Sequence, residues 1–199
     1  MNVVFDVGNV LVRWSPREIM RCALTDEPDT NIWAERFFGH ELWRQLNRGH
    51  FTEAEAKHRY LGEFPLTPTQ MDAVFHHIKD TQEAIPGSHE LLRRLHAADY
   101  PLFALTDNVH EIVAYLRRRY DFWSCLRGAV VSAEIGCLKP DPKIFHALLD
   151  GHALSARETV FIDDVPRNVE GARAMGIHAI EFVDAEQCES ALRDLGLVF

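Results

Sequence analysis

Asp6 follows the apolar run Val3-Val4-Phe5 and precedes Val7-Gly8-Asn9-Val10-Leu11, a pattern that carries a carboxylate out of a buried strand into a tight, glycine-containing loop. A carboxylate without a partner at the end of a buried strand is costly, so it is ion-paired, metal-bound or reactive, unless it is spent on capping the next helix. Three later segments argue against a simple cap. Leu102-Phe103-Ala104-Leu105 leads into Thr106-Asp107-Asn108, Leu138-Lys139-Pro140-Asp141-Pro142 sets a lysine beside a helix start, and Thr159-Val160-Phe161-Ile162 ends in Asp163-Asp164. Adjacent acids at a strand end can cap the helix beginning near Pro166. Capping needs one acid, however, and two together repel unless a cation is present.

These segments need elements that deliver them to one place. Apolar strands are read at about 2–6, 102–106, 128–132, 159–163 and 178–183, separated by helical patterns such as Leu91, Leu92 and Leu95, or Ile144, Phe145, Leu148 and Leu149. Near-continuous apolar strands alternating with helices predict a doubly wound α/β core, a parallel sheet covered on both faces. Ligands of such a sheet bind outside the carboxyl ends of the strands, where all the polar segments fall. Between Trp14 and Ile85 the alternation stops, and the segment reads as several helices broken near Gly39, Gly49, Gly62, Pro65 and Pro68. Its Trp33, Phe37, Phe38, Leu42, Trp43 and Leu46 read as a small helical core. Thr52 with Glu55 is a capping-box pattern that starts one of its helices.

The 199 residues suffice for one core, or one core with a satellite, and 47% hydrophobic with 26% charged residues is ordinary for a globular enzyme. No apolar run approaches the ~20 residues of a membrane span. The start runs directly into a strand, without the basic flank and apolar region of a signal peptide, so a cytoplasmic location is expected. Cys22, Cys125, Cys137 and Cys188 form no C-x-x-C pair, and the eleven histidines show no ligand spacing, so neither a zinc site nor a disulfide framework is expected. A formal charge of −9 argues against a nucleic-acid partner, and Arg117-Arg118-Arg119 reads as the solvated end of a helix.

The four polar segments, in their order and strand-then-loop context, resemble the four motifs of the haloacid dehalogenase superfamily, and the resemblance covers nearly the whole chain. It implies a HAD-like, Rossmannoid core at 1–13 and 86–199, with 14–85 as an inserted helical cap hinged near 12–16 and 82–87. It also implies a hydrolase in which Asp6 attacks phosphorus to form an aspartyl-phosphate that water then hydrolyses. Thr106 is then a phosphoryl ligand, with Asp107 and Asn108 beside it, and Lys139 pairs with Asp6 and phosphate. Mg²⁺ is held by Asp6, the Gly8 carbonyl and Asp164, with Asp163 orienting a water on the metal or Lys139. Each requirement of phosphoryl transfer to a carboxylate thereby has a candidate: a nucleophile, neutralisation of the phosphoryl oxygens and a metal.

Two positions depart from the family pattern. Most family phosphatases carry a second aspartate, the general acid, where this chain has Gly8. General acid–base catalysis is worth ~10²–10⁴-fold, so its absence penalises poor leaving groups most. Asp107 stands where relatives commonly have Asn; it binds a sugar hydroxyl, supplies part of the missing proton, or turns its side chain away. The D-x-G-N-V loop resembles a bacterial branch that includes α-D-glucose-1-phosphate phosphatase, which implies a small phosphorylated metabolite such as a sugar 1-phosphate. A 2-haloacid dehalogenase and a non-catalytic phosphometabolite-binding protein are the alternatives, and the expected assembly is a monomer or homodimer. The paired acids count against the dehalogenase, whose chemistry needs no metal.

Overall fold

The run Val3-Val4-Phe5 forms the middle strand of a five-stranded sheet in a computed structural model that describes residues 1–199. Strands β1 (Asn2–Phe5), β2 (Leu102–Thr106), β3 (Gly128–Val131), β4 (Thr159–Asp163) and β5 (His178–Glu181) lie in the order β3-β2-β1-β4-β5. Every neighbouring pair is parallel, with Val3 opposite Leu102 and Phe5 opposite Ile162. The alternation of a strand sends Val3 and Phe5 to one face and Val4 to the other, and all three are fully buried. A side chain of this size contributes about 1.5–3 kcal/mol on burial, so an apolar strand of this kind is stable only with helices on both faces.

Five helices follow β1: α1 (Pro16–Ala23), α2 (Thr30–Phe38), α3 (Glu41–Asn47), α4 (Glu53–Glu63) and α5 (Pro68–Asp80). The capping box expected at α4 is complete, since Thr52 Oγ1 accepts from the Glu55 amide at 3.3 Å and the Thr52 amide donates to Glu55 at 2.8 Å. A second box, Thr67 with Gln70, starts α5. The other helices are α6 (Ser88–Ala97), α7 (His110–Arg119), α8 (Ser132–Ile135), α9 (Pro142–Gly151), α10 (Pro166–Ala174) and α11 (Ala185–Asp194). Leucines 91, 92 and 95 of α6, Ile112 of α7 and Leu192 of α11 cover the Phe5 face. Ile144 and Phe145 of α9 and Ala172 of α10 cover the Val4 face. The arginines 117–119 are the last turn of α7, where cations suit the negative pole.

Helices α1–α5 share the hydrophobic core of the sheet. Phe37, Leu46, Tyr60 and Phe75 lie in the same continuous cluster of 37 buried residues as Val3, Phe5 and Leu92. The two segments expected as hinges are paired with each other: the Arg13 amide donates to Glu83 O at 2.7 Å, and the Ile85 amide to Leu11 O at 3.0 Å. A further tie lies beside the site. Ser132 Oγ donates to Asn47 O at 2.6 Å and accepts from the Asn108 amide at 2.9 Å, joining the end of α3 to the starts of α7 and α8. The turn after α3 also passes close to α8, so a Cβ on Gly49 would meet Ala133 O at 2.1 Å, and its φ of 71° is the left-handed region.

Candidate active site

β1, β2 and β4 are adjacent, so their carboxyl ends bring Asp6, Thr106-Asp107 and Asp163-Asp164 together where the chain leaves one side of the sheet and returns on the other. That switch point is the usual ligand crevice of an open α/β sheet. The loop before α9 completes the group. Lys139 Nζ lies 2.9 Å from Asp6 and 2.6 Å from Asp163, and donates to Leu105 O at 3.3 Å. Its side chain is 1% exposed. A buried ammonium is tolerable only when paired in this way. Burial by itself would push the Lys139 ammonium down, but the combined attraction of Asp6, Asp163 and Asp107 holds it above the usual lysine range.

The two adjacent acids are not equivalent. Asp163 is wholly buried and its oxygens are taken by protein donors: the Val165 amide at 2.8 Å, Asn168 Nδ2 at 3.1 Å and Lys139 Nζ. Asp164 is half-buried and lines the cavity, with Asn9 Nδ2 donating to it at 3.1 Å. Burial raises the Asp164 carboxyl, against the Asn9 hydrogen bond. Burial also pushes Asp6 up to about 8; Lys139 opposes this, while Asp163 and Asp107 add to it. One lysine therefore does not fully compensate these acids. Oxygens of Asp6, Asp163 and Asp164 lie within 4.8 Å of one another, a donor set of hard oxygens that suits Mg²⁺.

Asp107 turns its carboxylate onto the loop it faces, accepting the Lys139 backbone N–H at 3.0 Å. Burial raises its carboxyl despite the nearby Lys139. Thr106 ends β2, is 1% exposed, and does not line the cavity, whereas Asp107 and Asn108 do. Gly8 lines it as well. Its φ is not left-handed, and a Cβ there would meet only Trp14 Cβ, at an ordinary 3.8 Å. The strained position of the loop is Asn9, with a φ of 53°. Asn is one of the few side-chain-bearing residues that adopts this region readily, and here Asn9 Oδ1 also accepts the Trp14 amide at 2.8 Å.

The cavity holds about 410 Å³. Part of its wall is aromatic. Trp14 and Trp43 stack with centroids 5.6 Å apart and an interplanar angle of 11°, and Phe38 meets both edge to face at 5.3 and 5.0 Å. Phe38 and Trp43 were expected in a helical core; they are half-buried cavity residues, while Phe37 and Leu46 form the core. Sequence reasoning did not single out the site roles of Asn9, Asn168, Trp14 or Arg167. The only local signal among them was an Asn in a tight glycine-containing loop.

Residues 34–182 match the family model of the haloacid dehalogenase-like hydrolases. This chain belongs to that family. The HAD hydrolase is 26% identical over 192 residues to the sesquiterpene phosphatase astK of Aspergillus oryzae, a match covering 96% of this chain and 94% of the fungal one. Among solved structures, a predicted HAD-like family hydrolase from Porphyromonas gingivalis superposes with a TM-score of 0.79 at 25% identity, covering 100% of this chain and 98% of that one. A HAD family enzyme of Bacteroides thetaiotaomicron, in complex with magnesium and inorganic phosphate, superposes at 0.75 with 21% identity, covering 92% and 94%. No helix of the chain is long and apolar enough to cross a membrane.

Proposed function

We propose that this HAD hydrolase is a Mg²⁺-dependent phosphatase that works through an aspartyl-phosphate on Asp6. The observation that carries the reading is Asp6 itself, a buried carboxylate at a strand end with Lys139 Nζ at 2.9 Å and the Asp163 and Asp164 oxygens close by. The names of two similar proteins support it, one a phosphatase and one bound to magnesium and phosphate. Asp6 Oδ attacks phosphorus, the P–O bond to the alcohol breaks, and water then attacks the aspartyl-phosphate to release inorganic phosphate and regenerate the carboxylate. Lys139 balances charge on the phosphoryl oxygens and on Asp6, held in place by Asp163 and by its backbone bond to Asp107. Asn108 lines the phosphoryl pocket, and Thr106, buried at the end of β2, reaches it only if its hydroxyl is uncovered when phosphate binds. Asp6, Asp164 and the Gly8 carbonyl hold Mg²⁺, which supplies the positive charge that lets two anions meet; Asp163 acts through Lys139. Helices α1–α5 serve as the cap that excludes water. On an activated aryl phosphate, EDTA is expected to abolish phosphate release and Mg²⁺ to restore it. Full activity in metal-free buffer would refute the metal assignment.

The aromatic wall favours an apolar alcohol over a sugar as the leaving group. Two amides of the helical segment at the cavity each have one N–H already engaged, Asn47 Nδ2 on Trp43 O at 2.8 Å and Gln82 Nε2 on Ile78 O at 2.7 Å. Isoprenyl and aryl monophosphates should therefore exceed glucose 1-phosphate in kcat/KM. Gly8→Asp adds the missing acid at a position with room for a side chain. It is expected to raise turnover of alkyl phosphates by about 10²-fold or more while changing aryl phosphates little. No gain in Gly8→Asp, with Gly8→Ala behaving like wild type, would refute the missing-acid account.

A further inference from the structure

Beside the catalytic cavity runs a second recess of about 430 Å³, and the two share Arg44, Leu138, Lys139 and Arg167 in their walls. Away from the shared wall, the recess is lined by Arg48 and Lys143. Besides the buried Lys139, four cations, Arg44, Arg48, Lys143 and Arg167, thus gather in one groove of a chain whose formal charge is −9. Asp141 is the one acid in the lining, and it is engaged in capping α9 through the Lys143 amide at 3.0 Å. Glu41 pairs with Arg44 at 2.7 Å and Arg48 at 3.4 Å, so a single carboxylate serves two guanidinium groups. Lys143 and Arg167 stand in no ion pair within 4.0 Å. Like charges crowded on one wall repel one another, and here their local counter-charge is incomplete.

We propose that this groove is a second phosphoryl subsite. The favoured substrate is then not a simple monophosphate but an apolar alcohol bearing a second phosphoryl group, with one group on Asp6 and the other held by Arg48, Lys143 and Arg167. The inference rests on the phosphatase reading for the identity of the first group. Guanidinium forks and a lysine are suited to a phosphoryl dianion, and the four shared lining residues set the two recesses side by side. General attraction of anions to a basic rim is the competing explanation, and it would act on every phosphate ester alike.

The probes are butyl phosphate and butane-1,4-diol bisphosphate, with shorter and longer tethers, assayed on wild type and on the Arg48→Ala/Lys143→Ala variant. Identical ends give the bisphosphate a statistical advantage of only about twofold, whereas occupancy of the groove should lower its KM by about tenfold, the effect of one good charged contact at a partly exposed site. In the variant that advantage should shrink to the statistical factor, while butyl phosphate kinetics stay unchanged. No preference at any tether length overturns the subsite, and an equal loss for both substrates assigns the groove to general attraction. Calorimetric binding of butane-1,4-bisphosphonate against butylphosphonate, in the presence of Mg²⁺, needs no turnover. If no ester is hydrolysed but the bisphosphonate binds tighter and the variant abolishes the difference, the groove stands and the phosphatase reading falls.

Discussion

Asp6→Asn is expected to give a folded protein whose turnover of aryl phosphates is lower by about 10⁴-fold or more, because an amide cannot act as the attacking oxyanion. The fold should survive. The amide is isosteric, its oxygen can still accept the Val7 N–H that Asp6 Oδ1 accepts at 2.7 Å, and Lys139 keeps Asp163. The substitution also removes a charge that burial disfavours. Because folding raises the Asp6 carboxyl from ~3.9 to about 8, it favours the protonated form. Its contribution to stability is therefore present below the unfolded value and lost as pH climbs through the folded one. Metal-free wild type should accordingly lose stability between about pH 4 and 8 relative to Asp6→Asn, and Mg²⁺ should narrow the gap. Circular dichroism melts across that range, with a phosphate-release assay, test both halves. A wild-type rate in the variant would refute the covalent mechanism.

Lys139→Met should affect stability and activity together. The substitution keeps an unbranched stem over Phe161, whose ring centroid lies 5.3 Å from Nζ, and deletes only the charge and its hydrogen bonds. Asp6 and Asp163 are then left buried without their cation. Breaking a buried pair from one side costs about 3–5 kcal/mol, which in a domain of this size lowers Tm by roughly 10 °C. Since the Lys139 ammonium is held above its ordinary range, its contribution is fully present below ~10.4 and is in force at neutral pH. The deficit of the variant should grow as pH rises through about 8, where wild-type Asp6 loses its proton beside Lys139 while the variant's Asp6 must keep its proton or bury its charge unpaired. Turnover should fall by about 10²–10³-fold through lost neutralisation of the phosphoryl oxygens. Unchanged melting at pH 7 would show that the buried carboxylates are compensated by something other than Lys139.

Asp6, Asp107, Lys139, Asp163 and Asp164 were legible because each belongs to a strand end or a loop that the apolar pattern already locates. The inequality of the two adjacent acids was implied only by the family resemblance, not by the residues themselves. Which one faces the cavity depends on donors from elsewhere, Lys139 and Asn168 for Asp163 and Asn9 for Asp164. Gly8 and Asn9 show the same limit at the scale of one loop, since composition marks a tight turn without saying which residue takes the positive φ.

The chain by itself determined the parallel sheet, because a strand buried on both faces must be apolar throughout and so reads as an unbroken run from any vantage. It likewise determined which end of the sheet carries the chemistry, since every such run ends in polar residues on the same side. Only the tertiary structure decided that helices α1–α5 share one core with the sheet, and that Phe38 and Trp43 face the cavity while Phe37 and Leu46 do not. Helical periodicity gives the angle between side chains on one helix. Which of those directions meets a neighbour and which meets a cavity is set by how helices from distant parts of the chain pack.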